Sequence, residues 1–342
     1  MLADDASFSN ATAGAFVGRD QQEIVLVAPR VKRNIGLPIR FGEKVLCRLD
    51  IPSARILQRA HSGVRSREHG AALIRWLRVA QPRLALAFTD VVTDTPLYAT
   101  ISQAENLGYW TLNNEPAPHL FHQFNGSYEE FFNEKSSKYK NQLRKKEKML
   151  REQLGAAFSF KEYRSVEDVT PFLQAADSIN KKTYQYKLFG EQVDNDAQST
   201  AAYTATALRG QFRSFVLWHD DIPLCFVLGH QSADGIFEHR QTGFDPQWRD
   251  CAPGINCNIL LLQSLYATHR PKILDFGSGD ADYKRLFANT VLSSASPMLV
   301  PRTLRYLLPF LLYTGAAWLN AMAVVVLDRF GLKDRIKRLL RR

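Results

Sequence analysis

The residues best suited to chemistry lie in segment 272–284, whose sequence is Lys-Ile-Leu-Asp-Phe-Gly-Ser-Gly-Asp-Ala-Asp-Tyr-Lys. A short apolar strand carries Asp275, a glycine-bracketed acidic turn follows, and the next helix begins near Tyr283. A lone carboxylate between apolar neighbours is costly to bury. We therefore expect Asp275 either to pair with a base such as Lys284 or Arg240, or to accept a proton from a reacting group.

A second set of polar residues lies in the predicted strand 235–243. Glu238 and His239 are adjacent, so their side chains point to opposite faces of a sheet and at most one faces a given cleft. His239 is either a base that works near neutral pH or a structural histidine in an apolar strand. Arg240 and Gln241 follow, and both can contact an acceptor or a carbonyl oxygen.

The predicted helix that begins at Pro253 and Gly254 can bind an anion. A helix N-terminus presents free backbone N–H groups and a favourable dipole. Proline suits the first helical turn, and a glycine lets a phosphate approach the backbone. Arg249, Ile255 and Lys284 complete the predicted binding set, with the two cations available to neutralise charge. An ordinary strand–loop–helix junction remains the alternative.

A regular series of elements must position these residues. Segment 128–154 has helical apolar spacing and one strongly basic face, and Ser127 and Glu130 form a capping box at its start. The basic face either is solvated or contacts an anionic ligand. The order after this helix is β, α, α, β, β, β, α, β, α. The predicted strands are 157–164, 213–219, 223–230, 235–243 and 272–276, and the predicted helices are 166–182, 200–209, 254–269 and 282–289.

Several phrases in this series resemble the GNAT (Gcn5-related N-acyltransferase) superfamily, in particular its CelD-like branch from cellulose biosynthesis. They are Gly126-Ser-Tyr-Glu-Glu-Phe-Phe, Ser137-Lys-Tyr-Lys-Asn-Gln-Leu-Arg144, Thr242-Gly-Phe-Asp-Pro246, Ala252-Pro-Gly254 and Leu274-Asp-Phe-Gly-Ser-Gly-Asp-Ala-Asp-Tyr-Lys284. The resemblance spans about residues 16–291. It implies an α/β (α+β) protein with tandem GNAT-like modules similar to the Fem peptidyltransferases, each a mixed, mostly antiparallel sheet flanked by helices. The expected divisions are a disordered lead at 1–15, a degenerate module at 16–125, a catalytic module at 126–292 and a C-terminal apolar and basic helical arm at 300–342.

The resemblance also implies a function. An acyl-CoA, most simply acetyl-CoA, would donate its acyl group to an amine or hydroxyl on a sugar or lipid-linked precursor of an envelope polysaccharide or exopolysaccharide. Tyr283 occupies the region where many GNAT enzymes place the tyrosine that protonates the departing thiolate. Asp280 either caps the last helix, pairs with Lys284 or contacts the acceptor. One departure is that the segment 245–254 lacks the Gln/Arg-x-x-Gly-x-Gly/Ala loop that holds the pyrophosphate in most GNAT enzymes.

Two further functions stay open. One is aminoacyl-tRNA-dependent transfer, as in the Fem proteins, which would make tRNA a partner. The other is a non-catalytic, membrane-tethered scaffold. A serine hydrolase is disfavoured because no Gly-x-Ser-x-Gly elbow occurs. A methyltransferase or Rossmann enzyme is disfavoured because the glycine turn follows the penultimate element rather than the first strand.

Composition narrows the partners and the compartment. The 342-residue chain carries 44 basic and 34 acidic residues, a formal charge of +10, which favours nucleic acid, an anionic membrane or a phosphorylated ligand. The four cysteines lack zinc-ligand spacing, so we expect reduced core thiols in a cytosolic protein and no metal. The acidic N-terminus has no apolar stretch typical of a secretory signal.

The C-terminal region is distinctive. Residues 306–327 contain no charged side chain, and a basic amphipathic segment follows them. Three arrangements are possible: docking on the protein's own core, lying in the membrane interface, or spanning the bilayer. Since acyl-CoA and a basic tail both belong inside the cell, we expect a cytoplasmic protein in peripheral contact with the inner face of the cell membrane.

Overall fold

The computed structural model describes residues 12–17, 24–41, 44–56, 64, 66–80, 82–112, 115–155, 157–183, 193 and 195–329. The strands are β1 Thr12–Val17, β2 Ile24–Phe41, β3 Lys44–Ile56, β4 Ala85–Phe88, β5 Val91–Val92, β6 Tyr109–Leu112, β7 Ala117–Gln123, β8 Phe158–Tyr163, β9 Ser214–His219, β10 Ile222–Gln231, β11 Ile236–Phe244, β12 Ile273–Ser278, β13 Thr290–Ala295 and β14 Met298–Pro301. The helices are α1 Arg67–Ala80, α2 Pro96–Ser102, α3 Tyr128–Glu134, α4 Ser137–Leu154, α5 Val166–Asn180, α6 Ala197–Leu208, α7 Pro253–Ala267, α8 Asp282–Phe287 and α9 Leu304–Arg329, with 3-10 helices at Ala104–Leu107 and Pro246–Cys251.

The described residues form two compact units. The first, here the central unit, is residues 117–294. The second, here the split unit, combines residues 10–116 with residues 295–342. These divisions differ from the predicted ones because β7, placed by the sequence in the first module, pairs with β12 and β13 in the central unit. The predicted disordered lead is wrong for residues 12–15, which form part of β1. The rest of that lead and the basic tail after Arg329 lie outside the described residues.

The split unit is built on a sheet of strand order β1-β2-β3-β4-β14-β6. Only the β3–β4 pair is parallel; β14 lies antiparallel between β4 and β6. All four residues of β4 are buried, which explains its uninterrupted apolar sequence. Leu86 and Phe88 face a core shared with α1 and α2, whereas Ala85 and Ala87 face a second core that includes Tyr306 of α9.

The central unit carries the series of elements predicted from the sequence. Its strands are ordered β13-β7-β12-β11-β10-β9-β8. The β11–β12 pair is parallel and the other pairs are antiparallel. Strand β10 is buried on both faces. Cys225 and Val227 face a core with α3, α4 and α7, while Phe226 and Leu228 face a core with α5. The predicted mixed, mostly antiparallel sheet flanked by helices is confirmed.

The predicted helix 128–154 is two helices. The capping box of Ser127 and Glu130 is present at the start of α3. Lys135 then adopts extended angles, φ −73° and ψ 152°, and Ser136 begins a new helix by accepting a hydrogen bond from the Tyr139 N–H at 3.2 Å. Continuous apolar spacing conceals this break because both helices pack on the same core.

The predicted C-terminal arm is helix α9, whose first turns belong to the split unit. The Tyr306 hydroxyl donates to the carbonyl oxygens of Pro52 and Arg83 at 3.0 and 2.7 Å. Trp110 of β6 and Phe310 stack with ring centroids 4.7 Å apart. No helix among the described residues is both long enough and apolar enough to cross a membrane.

Candidate active site

Strands β11 and β12 separate in the middle of the central sheet. They pair in register only over Ile236–Ile273, Phe237–Leu274 and Glu238–Asp275, although β11 continues to Phe244 and β12 to Ser278. Beyond Glu238, β11 has no further pairing with β12 among the described residues. The gap therefore exposes backbone groups that can bind an extended ligand.

Asp275 lies at the last position where β12 pairs with β11, and its side chain contacts a histidine. Its Oδ1 atom is 2.6 Å from Nε2 of His119 in β7, and it accepts the Gly277 N–H at 2.7 Å. Nδ1 of His119 is 3.3 Å from the hydroxyl oxygen of Ser294 in β13. With an ionised Asp275, Nε2 carries a proton and Nδ1 can accept from the Ser294 hydroxyl. The expected pairing of Asp275 with Lys284 or Arg240 is wrong.

Asp275, His119 and Ser294 form a hydrogen-bonded triad, but its burial differs from that expected of a Ser-His-Asp hydrolase. Ser294 is 1% exposed and His119 is 2% exposed, whereas the Asp275 side chain is 18% exposed. Asp275 is thus the member that reaches solvent, and a nucleophilic role for the buried serine is disfavoured. His119 also stacks on Phe121 at 4.3 Å, which fixes the imidazole plane. The arrangement can hold Asp275 in one orientation, with its Oδ1 atom occupied by two donors and its Oδ2 atom able to accept a proton.

Glu238 and Arg240 form an ion pair on β11. Arg240 donates from Nε and Nη2 to Glu238 Oε2 at 3.2 and 3.0 Å, and both side chains are about one-fifth exposed. Since parallel strands in register place facing residues on the same side, Glu238 and Asp275 share a face of the sheet. Gln241 is half-buried beyond this pair. These groups form a polar wall beside the gap.

His239, Phe276 and Tyr283 form an aromatic cluster on the opposite side. Their ring centroids are 5.6 to 6.5 Å apart. Burial lowers the pKa of His239 to about 4, so its ring is neutral at neutral pH. Among the described residues, His239 Nε2 and Asn258 Oδ1 are buried without a hydrogen bond of normal geometry. Burial raises the pKa of Tyr283 to about 12, so its hydroxyl keeps its proton and can donate it.

The turn between β12 and α8 is held by its own cations. Gly277 and Gly279 have φ of 74° and 90°, in the region that glycine tolerates best. Lys284 donates to the carbonyl oxygens of Gly277 and Ser278 at 3.4 and 2.9 Å. Asp280 forms a two-point ion pair with Arg285 and does not cap α8, whose N-cap is Ala281. Of the alternatives left open for Asp280, capping is thus not found, and its ion-pair partner is Arg285 rather than Lys284. Lys284 and Asp280 thus both stabilise the conformation of the turn.

Helix α7 follows β11 and the 3-10 helix Pro246–Cys251 along the chain. Ala252 adopts left-handed angles, φ 49° and ψ 52°, and no side chain among the described residues caps the helix. Pro253 has no N–H, and no hydrogen-bond partner is found among the described residues for the N–H groups of Gly254 and Ile255. Arg249 is exposed in the preceding 3-10 helix. The N-terminus of α7 can therefore accept an anion.

Helix α4 packs beside this N-terminus. The Asn256 side chain donates to the carbonyl oxygens of Lys146 in α4 and Cys251, at 3.0 and 2.9 Å. The backbone of Lys146 therefore lies beside the first turn of α7, and Arg144 of the same helix α4 lies over the ring of Phe132 at 5.7 Å. No group of three or more potential metal ligands occurs in the part of the chain that the structure describes.

Comparisons with known proteins find one family model and several solved structures that the chain resembles. The model of the Acetyltransferase (GNAT) domain family matches residues 137–285, from α4 to α8, which is less than half of the chain. No curated protein sequence matches.

Solved structures share the fold over most of the chain. The crystal structure of FemX aligns with TM-score 0.55 and 12% identity, covering 85% of this chain and 88% of that one. A conserved protein of unknown function from Bacteroides thetaiotaomicron VPI-5482 aligns with TM-score 0.53 and 10% identity, covering 88% and 92%. The C-terminal DUF2156 domain of an Agrobacterium fabrum protein described as a lysylphosphatidylglycerol synthetase aligns with TM-score 0.52 and 9% identity, covering 92% and 88%. The chain therefore shares the two-sheet α/β fold of these structures, and residues 137–285 match the Acetyltransferase (GNAT) domain model.

Proposed function

We propose that the protein transfers an acyl group, most simply acetyl, from acyl-CoA to an amine or hydroxyl. The observation that carries this proposal is the gap between β11 and β12, together with the N-terminus of α7, where a Cβ on Gly254 would lie 3.5 Å from Phe244 at the end of β11. A thioester can lie along the gap while N–H groups of Gly254 and Ile255 and the Arg249 guanidinium bind its pyrophosphate. The absence of the usual phosphate-binding loop is compensated by this helix start.

The side chains at the gap divide the proton transfers between them. The acceptor's amine or hydroxyl attacks the thioester carbonyl carbon, and Asp275, backed by His119, takes the proton that the acceptor loses. The C–S bond breaks, and Tyr283 gives its proton to the departing thiolate. Arg240, Gln241 and the Glu238 carboxylate offer contacts to a polar acceptor. Neutral His239 supports Tyr283 from the buried side.

The acceptor class rests on the resemblance of the quoted phrases to the CelD-like branch. A sugar or lipid-linked precursor of an envelope polysaccharide or exopolysaccharide suits a site lined by carboxylates and an arginine, which can bind several hydroxyls. Such a precursor is available at the inner face of a cell membrane, and we place the protein there, in the cytoplasm.

Calorimetry with acetyl-CoA and longer acyl-CoAs tests the donor. We expect wild-type binding, and a loss of about tenfold or more in Gly254→Val, because a branched side chain blocks a phosphate at the helix start. The variant should fold, since a Cβ at Gly254 meets only Phe244, at an ordinary 3.5 Å. Gly315→Val is the matched control, because nothing lies within 4 Å of that position. No binding of any acyl-CoA to wild type would refute the proposal.

Aminoacyl-tRNA is the second candidate donor. It is favoured by the similarity to the FemX fold and by the many cations of α4, a helix whose Lys146 carbonyl oxygen lies beside the start of α7. Charged tRNA would then bind with a steep dependence on salt concentration, because counterions are released from the phosphates. Affinity that is unchanged between low and moderate salt would exclude this donor. Thioester turnover by purified protein would exclude the non-catalytic scaffold.

A further inference from the structure

Helix α9 is apolar on two faces, and only one of them is used by the split unit. The inner face includes Tyr306, which is 2% exposed, and Phe310, which stacks on Trp110. Tyr313 packs against the same core. These contacts hold the helix on its own sheet without covering the opposite face.

The outer face is a row of exposed large apolar side chains. Leu304, Leu308 and Leu311 are 89%, 65% and 55% exposed, and Trp318 and Met322 are 61% and 49% exposed. Their spacing of four, three, seven and four residues keeps them on one side of a helix. Leu307, Leu312 and Leu319 widen the row. The row extends for roughly 27 Å at 1.5 Å per residue. A patch of this size marks an interaction surface.

The charges around this row indicate its partner. Between residues 301 and 342 there are nine Lys or Arg and two Asp residues, so this region holds +7 of the chain's formal +10. Arg302 and Arg305 precede the row, and seven cations begin at Arg329, whereas 306–327 carries none. An apolar strip with cations at both ends complements the acyl region and the anionic headgroups of a lipid surface. A second copy would bring two such positive regions together.

We propose that the outer face of α9 is a docking surface for an anionic lipid bilayer. The helix lies parallel to the membrane plane, its outer leucines enter the acyl boundary, and Trp318 lies at headgroup depth. The inner face stays on the sheet of the split unit, so docking requires no unfolding. This inference concerns lipid binding and stands whether or not the proposed acyl transfer is correct.

Co-sedimentation of the full-length protein with phosphatidylcholine vesicles, with and without phosphatidylglycerol, tests the proposal. We expect strong binding to the anionic vesicles, weaker binding to the neutral ones, and a decrease with salt. The double variant Leu308→Glu/Trp318→Glu should lose about tenfold or more in partitioning, because carboxylates enter the interface poorly. Val79→Glu is the matched control, because Val79 is 81% exposed on α1 of the same unit, and it should bind like wild type.

Depth and self-association are measured separately. Lipids brominated in their acyl chains should quench part of the tryptophan fluorescence of wild type, and Trp318→Phe should lose that part while still binding. Absence of wild-type binding, or equal binding of the double variant, would overturn the proposal. It would also be overturned if wild type is a lipid-free dimer that the double variant dissociates, since the face would then be a contact between copies.

Discussion

At the scale of single residues, His119 holds the partly buried carboxylate of Asp275 in one orientation. Asp275 has one strong contact to an imidazole and one to a backbone N–H, and its remaining oxygen is directed at neither. Such a carboxylate is held in one rotamer and keeps acceptor capacity for a substrate proton. His119 is thus a positioning residue in the proposed reaction.

Double substitution tests this pairing. We expect Asp275→Asn to lower acyl turnover by about a hundredfold or more and His119→Asn by about tenfold or more. The double variant should be little worse than Asp275→Asn alone, because residues that act as a unit are non-additive. Ser294→Ala, which removes only the distal hydroxyl, should keep most activity. Additive losses from the two single variants would show that His119 acts independently of Asp275.

Tyr283→Phe should separate proton donation from packing. The ring stays in its cluster with His239 and Phe276, so the melting temperature should hardly change. Turnover should fall by about a hundredfold or more if the hydroxyl protonates the thiolate. Steady-state kinetics with thermal melting measures both quantities. Wild-type turnover in a folded variant would leave Tyr283 with a packing role only.

Two buried histidines should make stability depend on pH. Burial lowers the pKa of both His122 and His239 to about 4, whereas an unfolded histidine titrates near 6.5. The unfolded chain therefore binds more protons between these values, and the free energy of unfolding should fall as pH drops from about 6.5 to about 4. The carboxylate of Asp168, whose pKa is lowered by hydrogen bonds to backbone N–H groups, adds its loss at still lower pH.

Urea titrations across this range check the slope. In His122→Gln the slope should be shallower, because Gln can still reach the Phe287 carbonyl and the Tyr266 hydroxyl that His122 contacts at 2.8 and 2.9 Å, without titrating. A slope unchanged from wild type would show that His122 does not stay neutral in the folded protein.

A candidate site residue can be predicted from the sequence when the pattern that marks it is local, and not when its contact partner is far away along the chain. Asp275 and Tyr283 stand out because an acidic residue in an apolar strand and a tyrosine opening a helix are local patterns. His119 has no local pattern, since 156 positions separate it from Asp275 and only sheet pairing brings them together. The ion pairs of Glu238 with Arg240 and Asp280 with Arg285 are local, but a sequence does not choose among nearby cations.

At the scale of elements, the start of α7 carries backbone strain at Ala252. Left-handed angles cost an alanine roughly 1 kcal/mol, which glycine avoids. We therefore expect Ala252→Gly to leave the free energy of unfolding unchanged or to raise it by up to about 1 kcal/mol. The same substitution at Ala267, an exposed residue in the last turn of α7, should lower it by about 0.5–1 kcal/mol. Chemical denaturation compares the two, and equal losses would contradict the strain.

The order of elements in the central unit was predictable because the apolar residues of each strand and helix recur with the period of that structure. The helix break at Lys135 was not, since the apolar spacing continues through it. The places of β7 and β13 in the sheet of the central unit were not predicted from the sequence. Both strands are short, and their pairing is decided by tertiary contacts. Strand β7 lies between β12 and β13 in the sheet, although both of those strands are far from β7 in sequence.

At the scale of the whole molecule, α9 should be required by the split unit and not by the central one. A chain ending at Thr303 uncovers Met298, Val300 and the core around them, and it loses both hydrogen bonds of Tyr306. We expect amides of β4, β14 and β6 to lose protection from hydrogen exchange, while those of β9–β12 keep theirs. A chain ending at Arg329 retains α9 and is the control. Unchanged protection in the shorter chain would show that α9 is dispensable for the sheet.

The position of β14 sets the order in which the protein can form during synthesis. This strand fills the space between β4 and β6, yet it follows them by nearly the full length of the central unit. At 5–20 residues per second, a ribosome takes roughly 10–40 s to make the 178 residues between the two segments. During that interval β4 and β6 each present an open edge, which is prone to pair with other chains. The nascent N-terminal segment is therefore a natural client for chaperones, and the later-made centre of the chain is the first part able to reach its final structure.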